Sequence, residues 1–262
     1  MRRQDAERYL DAAMAVGEAT LRYGGEVSRV EDSIRRICAS CGFIRADVFC
    51  ITSSIITTAF FRQDEDADAE DQAPVLSCTQ TRRISHTEND FDKLGQVNSL
   101  SRTICSRPTE PDAVLARLEE IRSMKERPLP VQMLIYALVP ASFTVFFGGN
   151  VPDLLISGLI GAILVCLSRR LREAKFNGLF IALVCSLAGG FLANALTLEM
   201  QDAHAALISI GNVMVFIPGV KFTNSIRDLL TGETITGLIC LAESLLLSVV
   251  VALGFAASAL IL

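Results

Sequence analysis

The sequence predicts a membrane all-α protein of about five transmembrane helices, preceded by an N-terminal cytosolic α+β domain. Two observations carry this reading. Of 24 Lys/Arg and 29 Asp/Glu in 262 residues, only six and seven lie beyond Pro130, so a mean hydropathy of +0.42 averages a water-soluble half with an apolar one. The second half also contains runs of roughly 20 apolar residues, the length that crosses a hydrocarbon core. The expected division is 1–128 for the cytosolic domain and 129–262 for the membrane domain.

The first element is an amphipathic helix over residues 5–23, with Ala6, Leu10, Ala13, Met14, Gly17 and Leu21 at helical spacing. Gly24-Gly25 ends it, because glycine accepts the left-handed conformation at a helix C-terminus. Ser28 and Glu31 have the spacing of a capping box that opens a second helix, whose stripe is Val30, Ile34, Ile37 and Cys41. From Ala46 to Phe61 the residues are β-branched and aromatic, and Val75–Ile84 reads as a third strand. The acidic run Gln63–Gln72 is a solvated turn between strands. A helix over Phe91–Ser106 aligns Phe91, Leu94, Val97, Leu100 and Ile104, and a capping box at Thr109-Glu110-Pro111-Asp112 opens a last helix over Ala113–Glu126. The expected order is ααβββαα.

Five spans follow, near 131–148, 152–168, 176–198, 205–221 and 234–260. The charges between them predict orientation. Arg169, Arg170, Arg172 and Lys175 fall between the second and third spans, and Lys221 and Arg227 between the fourth and fifth. The opposite loops, Gly148–Val151 and Glu199–His204, contain no Lys or Arg. The expected topology is multi-pass in a bacterial inner membrane, with the amino terminus cytoplasmic and the carboxyl terminus outside. The charged opening Met1–Arg8 shows none of the features of a secretory signal, which agrees with a cytosolic start.

The net charge of -5, without a basic arm, argues against nucleic acid as a partner. Cys38 and Cys41 have the spacing of a redox or zinc half-site but lie inside a helix with no second pair, so they read as core thiols. His86 and His204 are single histidines on a surface and an outer loop, and one histidine makes no metal site. No nucleotide-binding or hydrolase motif occurs. The expectation is a non-enzyme that needs neither metal nor cofactor.

The candidate chemistry lies in the last third. Glu243 falls about ten residues, roughly 15 Å, into the fifth span. A carboxylate at that depth faces a polar cavity or a proton path, or else stays protonated and bonds a neighbouring helix, since burial there favours its protonated form. Pro218 removes a backbone donor and Gly219 loosens the chain, so the fourth span should break there. Asn224, Arg227 and Asp228 follow at one-turn spacing as the polar face of a short helix. Asn212 precedes the break, and Asn194 adds an amide on the third span, where Gly189-Gly190 allows a close helix contact.

These features together resemble the threonine/serine exporter family. The matching stretches are Gly24–Glu31, Phe91–Leu100, and above all Ile217-Pro218-Gly219 through Asn224–Leu230 with Gly232, then Glu243. Glu233 stands where the family pattern has aspartate, which keeps the charge. The resemblance implies gradient-driven export of small hydrophilic metabolites, with threonine and serine the name-giving substrates, and the carboxylates Glu243 and Asp228 make proton coupling the expectation. It also implies the larger subunit of a two-component form, whose partner is a small all-membrane subunit. Dicarboxylate (succinate) export is the alternative within the family, and a non-transporting membrane sensor or scaffold the alternative outside it. The implied partners are a small-molecule solute, membrane lipid and the second subunit or another copy of the chain. Glu243, Asp228, Asn224, Asn212, Arg227, Pro218 and Gly219 are the expected solute and proton path.

Overall fold

The computed structural model describes residues 1–63, 74–107, 109–125, 127–200 and 202–260. The expected turn Gln63–Gln72 lies, past Gln63, outside them. The chain folds as two compact units: Met1–Lys125 with Leu229–Thr236, and Glu126–Asp228 with Gly237–Leu262.

The first unit opens with helices α1 (Arg3–Arg22) and α2 (Val27–Ser40). The apolar stripe of α1 is buried as its spacing predicts, and Gly24 ends the helix region at φ +90°, where a side chain would be strained. Neither predicted capping box forms. Helix α2 starts at Val27 with Glu26 as N-cap, two residues earlier than the Ser28 box requires. Glu31 instead accepts the Cys50 backbone N–H at 3.0 Å and pairs with Arg35.

Strands β1 (Arg45–Ile51), β2 (Ser54–Arg62) and β3 (Val75–Arg83) form an antiparallel meander in that order. The expected Ala46–Phe61 run is thus two strands, folded back at Thr52-Ser53 so that Ile51 pairs with Ser54. Ile55, Thr57, Ala59 and Phe61 alternate inward along β2, and Phe61 meets Phe43 edge-on at 6.2 Å.

Helix α3 (Phe91–Ser106) buries Val97, Ser101 and Ile104, but Phe91 is 59% exposed and so is not part of the stripe. Helix α4 (Pro111–Arg122) has proline in its first turn, as expected, with Glu110 rather than Thr109 as N-cap. The Thr109 hydroxyl donates backwards to the Arg107 carbonyl at 3.0 Å. Arg8 of α1 reaches Asp112 of α4 at 2.8 Å.

The second unit is all helix. It contains α5 (Leu129–Phe146), α6 (Val151–Glu173), α7 (Gly178–Thr197), α8 (Ala205–Phe216), α9 (Gly219–Thr231) and α10 (Thr234–Ser258), though the α9–α10 turn itself belongs to the first unit. Helices α5, α6, α7 and α10 are each long and apolar enough to cross a membrane. The fourth predicted span, 205–221, is not one helix: α8 and α9 are bent by 53° at the break between them. Counting that pair as one crossing gives five spans. Arg169, Arg170 and Arg172, expected in a loop, occupy the last turns of α6.

Small residues bring the helix backbones together. Pro140 leaves the Tyr136 carbonyl without its usual donor, and Gly161 packs so close to it that a Cβ would stand 1.9 Å from that oxygen. Gly190 of α7 lies against Ser258 of α10, the kind of close contact expected of the Gly189-Gly190 pair.

Candidate functional site

The break is built from sequence. Ile217 is extended (ψ 124°), Pro218 has no N–H to continue α8, and α9 restarts at Gly219. At 12 residues α8 is about 18 Å long, well short of a hydrocarbon core of about 30 Å. The last carbonyls of α8 and the first N–H groups of α9 therefore lack helical partners where lipid offers none. Such backbone is tolerated only against protein or a polar cavity.

Beyond the break, α9 presents a polar face. Ser225 and Asp228 are buried, Asn224 is half-buried and Arg227 exposed. Glu243 lies on α10, and its carboxylate forms an ion pair with the ammonium of Lys221 on α9. Its side chain is 54% exposed, so the expected buried carboxylate is instead one that a cation neutralises at the surface of the unit. Cys240, three residues before Glu243, lies within electrostatic reach of Lys221, Glu243 and Asp228 together. The structure thus gathers Glu243 and Asp228 and adds Lys221, which sequence reasoning had treated only as a topology charge.

Asn212 belongs to a different cluster. It is 1% exposed, and its Nδ2 donates to the Ser157 hydroxyl of α6 at 3.1 Å and to the Ile208 carbonyl at 3.0 Å. A carbonyl only accepts, so the amide orientation is set and Oδ1 points the other way. No described residue donates to that oxygen. Ser157 is also 2.8 Å from the Thr144 hydroxyl of α5, and Thr144 in turn reaches the Pro140 carbonyl at 2.9 Å. Three helices therefore meet through wholly buried polar side chains. Gly211 makes this possible, since a Cβ there would lie 2.0 Å from the Thr144 hydroxyl. Asn194, the other intramembrane amide, is half-buried on α7, and its carbonyl accepts from Thr197 at 3.0 Å.

Sequence reasoning missed Thr144 and Ser157, whose hydroxyls are unremarkable in a helix. It also missed Asp153, an acidic residue one position inside a predicted span, which is a signal that could have been read.

Comparison with known proteins places this geometry in context. A family model described as a threonine/serine exporter (ThrE) matches residues 11–262. The chain is similar to a threonine/serine exporter of Corynebacterium glutamicum, 23% identical over an alignment of 248 residues that covers 90% of this chain and 48% of that protein. It therefore spans about half the length of that curated relative. No solved structure matches it. The family is one of transporters rather than enzymes. On the extent of the family match and its apolar helices, the chain is a multi-pass membrane protein that belongs to the threonine/serine exporter family.

Proposed function

We propose that this chain is one half of a secondary exporter that moves small hydrophilic amino acids of the threonine/serine type out of the cell. The broken α8–α9 helix, with Lys221, Asp228 and Glu243 gathered on α9 and α10, is the observation that carries this reading. Charges and helix breaks at membrane depth are expensive, and a solute path is the usual reason a protein keeps them. The relative's name agrees with the substrate class.

In this reading Glu243 and Asp228 respond to protons, while Asn224, Arg227 and the Pro218-Gly219 break shape the path and Asn212 anchors α8 beside it. The arginines in the last turns of α6 support an orientation with that end at the cytoplasmic face of an inner membrane, residues 1–128 as a cytosolic domain and the carboxyl terminus outside. A second, all-membrane subunit or a second copy of the chain completes the carrier in this reading.

Efflux from cells preloaded with labelled threonine, serine and succinate tests this. The host lacks the protein and receives it back alone or with a candidate second subunit. Threonine or serine efflux that requires the chain supports the reading. Efflux of succinate alone makes the carrier a dicarboxylate exporter. Efflux indifferent to the chain for all three refutes the transport role and favours a sensor.

A further inference from the structure

A second carboxylate lies at the opposite end of α8. Asp153, in the first turn of α6, is fully buried. It closes a capping box: Asp153 Oδ2 accepts the Asn150 N–H at 3.1 Å, and Asn150 Oδ1 accepts the Asp153 N–H at 3.0 Å. A cap alone would end there, but this carboxylate has a second set of partners. Its Oδ1 accepts the backbone N–H of His204 at 2.7 Å, and the His204 Nδ1 stands 3.0 Å from Oδ2. Asn150 also donates its side-chain amide to the Asp202 carbonyl. The α5–α6 turn is thus tied to the α7–α8 loop through the Asp153 carboxylate and the Asn150 amide. Its imidazole partner is 57% exposed while the carboxylate is sealed from solvent.

We propose that Asp153 and His204 form a proton-responsive latch that closes the end of the membrane unit away from the Lys221–Glu243 pair. Its part in transport rests on the exporter reading above; the latch itself does not. Histidine is the side chain whose charge changes within the physiological pH range. Uncharged, its Nδ1–H gives an ordinary hydrogen bond; protonated, it gives a charge-assisted bond to a carboxylate that water does not reach. The latch is therefore stronger with the imidazole protonated than with it neutral. The other charges facing it are few. The α7–α8 loop carries Glu199 and Asp202, the α5–α6 turn carries none besides Asp153, and α5, α7 and α8 have no ionisable acid or base apart from thiol and phenol groups. In the proposed orientation this end faces outside. A proton taken there favours closure once solute has left, the order an exporter driven by inward proton flow requires.

Hydrogen exchange tests the latch directly in the full chain held in lipid nanodiscs. After correction for intrinsic rates, protection of the backbone over 202–207 is expected to be about fivefold greater near pH 6 than near pH 8. His204→Gln, which keeps a neutral donor and leaves the Asp153 cap intact, should remove that step. A step of the same size in His204→Gln overturns the proposal. Asp153→Asn should likewise lose it, and where that variant fails to fold, His204→Gln decides alone. Efflux measured against external pH should flatten in His204→Gln; an unchanged profile beside a lost protection step overturns the gating role. A wild-type chain that exports nothing overturns the exporter reading and leaves the exchange result standing.

Discussion

Lys221 on α9 and Glu243 on α10 form an ion pair across 22 residues of sequence, linking the restarted half of a broken helix to the last span. Removing one partner strands a charge in a medium that does not solvate it, whereas removing both does not. Glu243→Gln is expected to insert and to lose pH-dependent export, and either single variant, which strands the other's charge, to lower the amount of folded protein. The double variant should recover the protein level without recovering pH dependence. Membrane-fraction immunoblots and efflux at two external pH values measure this. Wild-type pH dependence in Glu243→Gln removes that residue from the proton path.

Asn212 and Ser157 supply a second, separable test. Their hydrogen bond joins α8 to α6 in the interior of the membrane unit. Interhelical bonds of this kind contribute on average about 0.6 kcal/mol and up to about 1.7 kcal/mol, because the unfolded chain in lipid also finds partners. A double-mutant cycle of Asn212→Ala and Ser157→Ala, followed by thermal or denaturant unfolding in detergent, should return a coupling in that range. Additive effects would show that the two side chains stabilise the fold independently.

The sequence made some of this legible and hid the rest for identifiable reasons. The α1 stripe could be read because Ala6, Leu10, Met14 and Leu21 repeat at the helical period, and burial follows the period. The break at Pro218 could be read because proline acts through its own backbone, whatever surrounds it. Capping boxes failed because Ser-x-x-Glu is only a local pattern. At Glu31 a strand edge offered the carboxylate a better donor, the Cys50 N–H. The Lys221–Glu243 pair was invisible because it is a tertiary contact between residues that each looked complete alone. The Asp153–His204 pair was hidden twice, by the apolar average of α6 and by a loop assignment for His204.

The cysteines of the first unit give a prediction with a pH sign. Burial pushes the Cys38 and Cys50 thiols up to about 12. At pH 8 only roughly one in ten thousand of either is then thiolate, the reactive form. In native protein both should resist maleimide for hours, while denaturant exposes them within minutes. Raising a thiol above its unfolded value of 9.0 favours the neutral form in the fold. This stabilisation is whole below about pH 9 and is lost as pH climbs toward 12. Alkaline melting curves should therefore fall above pH 9, and less so in Cys38→Ala, which has no thiol to ionise.

Two glycines on either side of the break should respond oppositely to one added methyl group. At Gly211 a Cβ would stand 2.0 Å from the Thr144 hydroxyl and 2.7 Å from the Pro140 carbonyl, so Gly211→Ala must push α8 off α5. Overpacking of that kind costs typically 1–3 kcal/mol, and here it also strains the Thr144–Ser157–Asn212 cluster. At Gly219 a Cβ would meet nothing within 4 Å, and alanine is the better helix former, by about 1 kcal/mol in a helix interior. Gly211→Ala is expected to lower the melting temperature in detergent, and Gly219→Ala to leave it unchanged or raise it. Export then separates packing from flexibility. A stable Gly219→Ala protein with slowed efflux would mean that the start of α9 must bend during transport. Normal efflux would mean that Pro218 alone supplies the break, leaving Gly219 only a contribution to the local helix start.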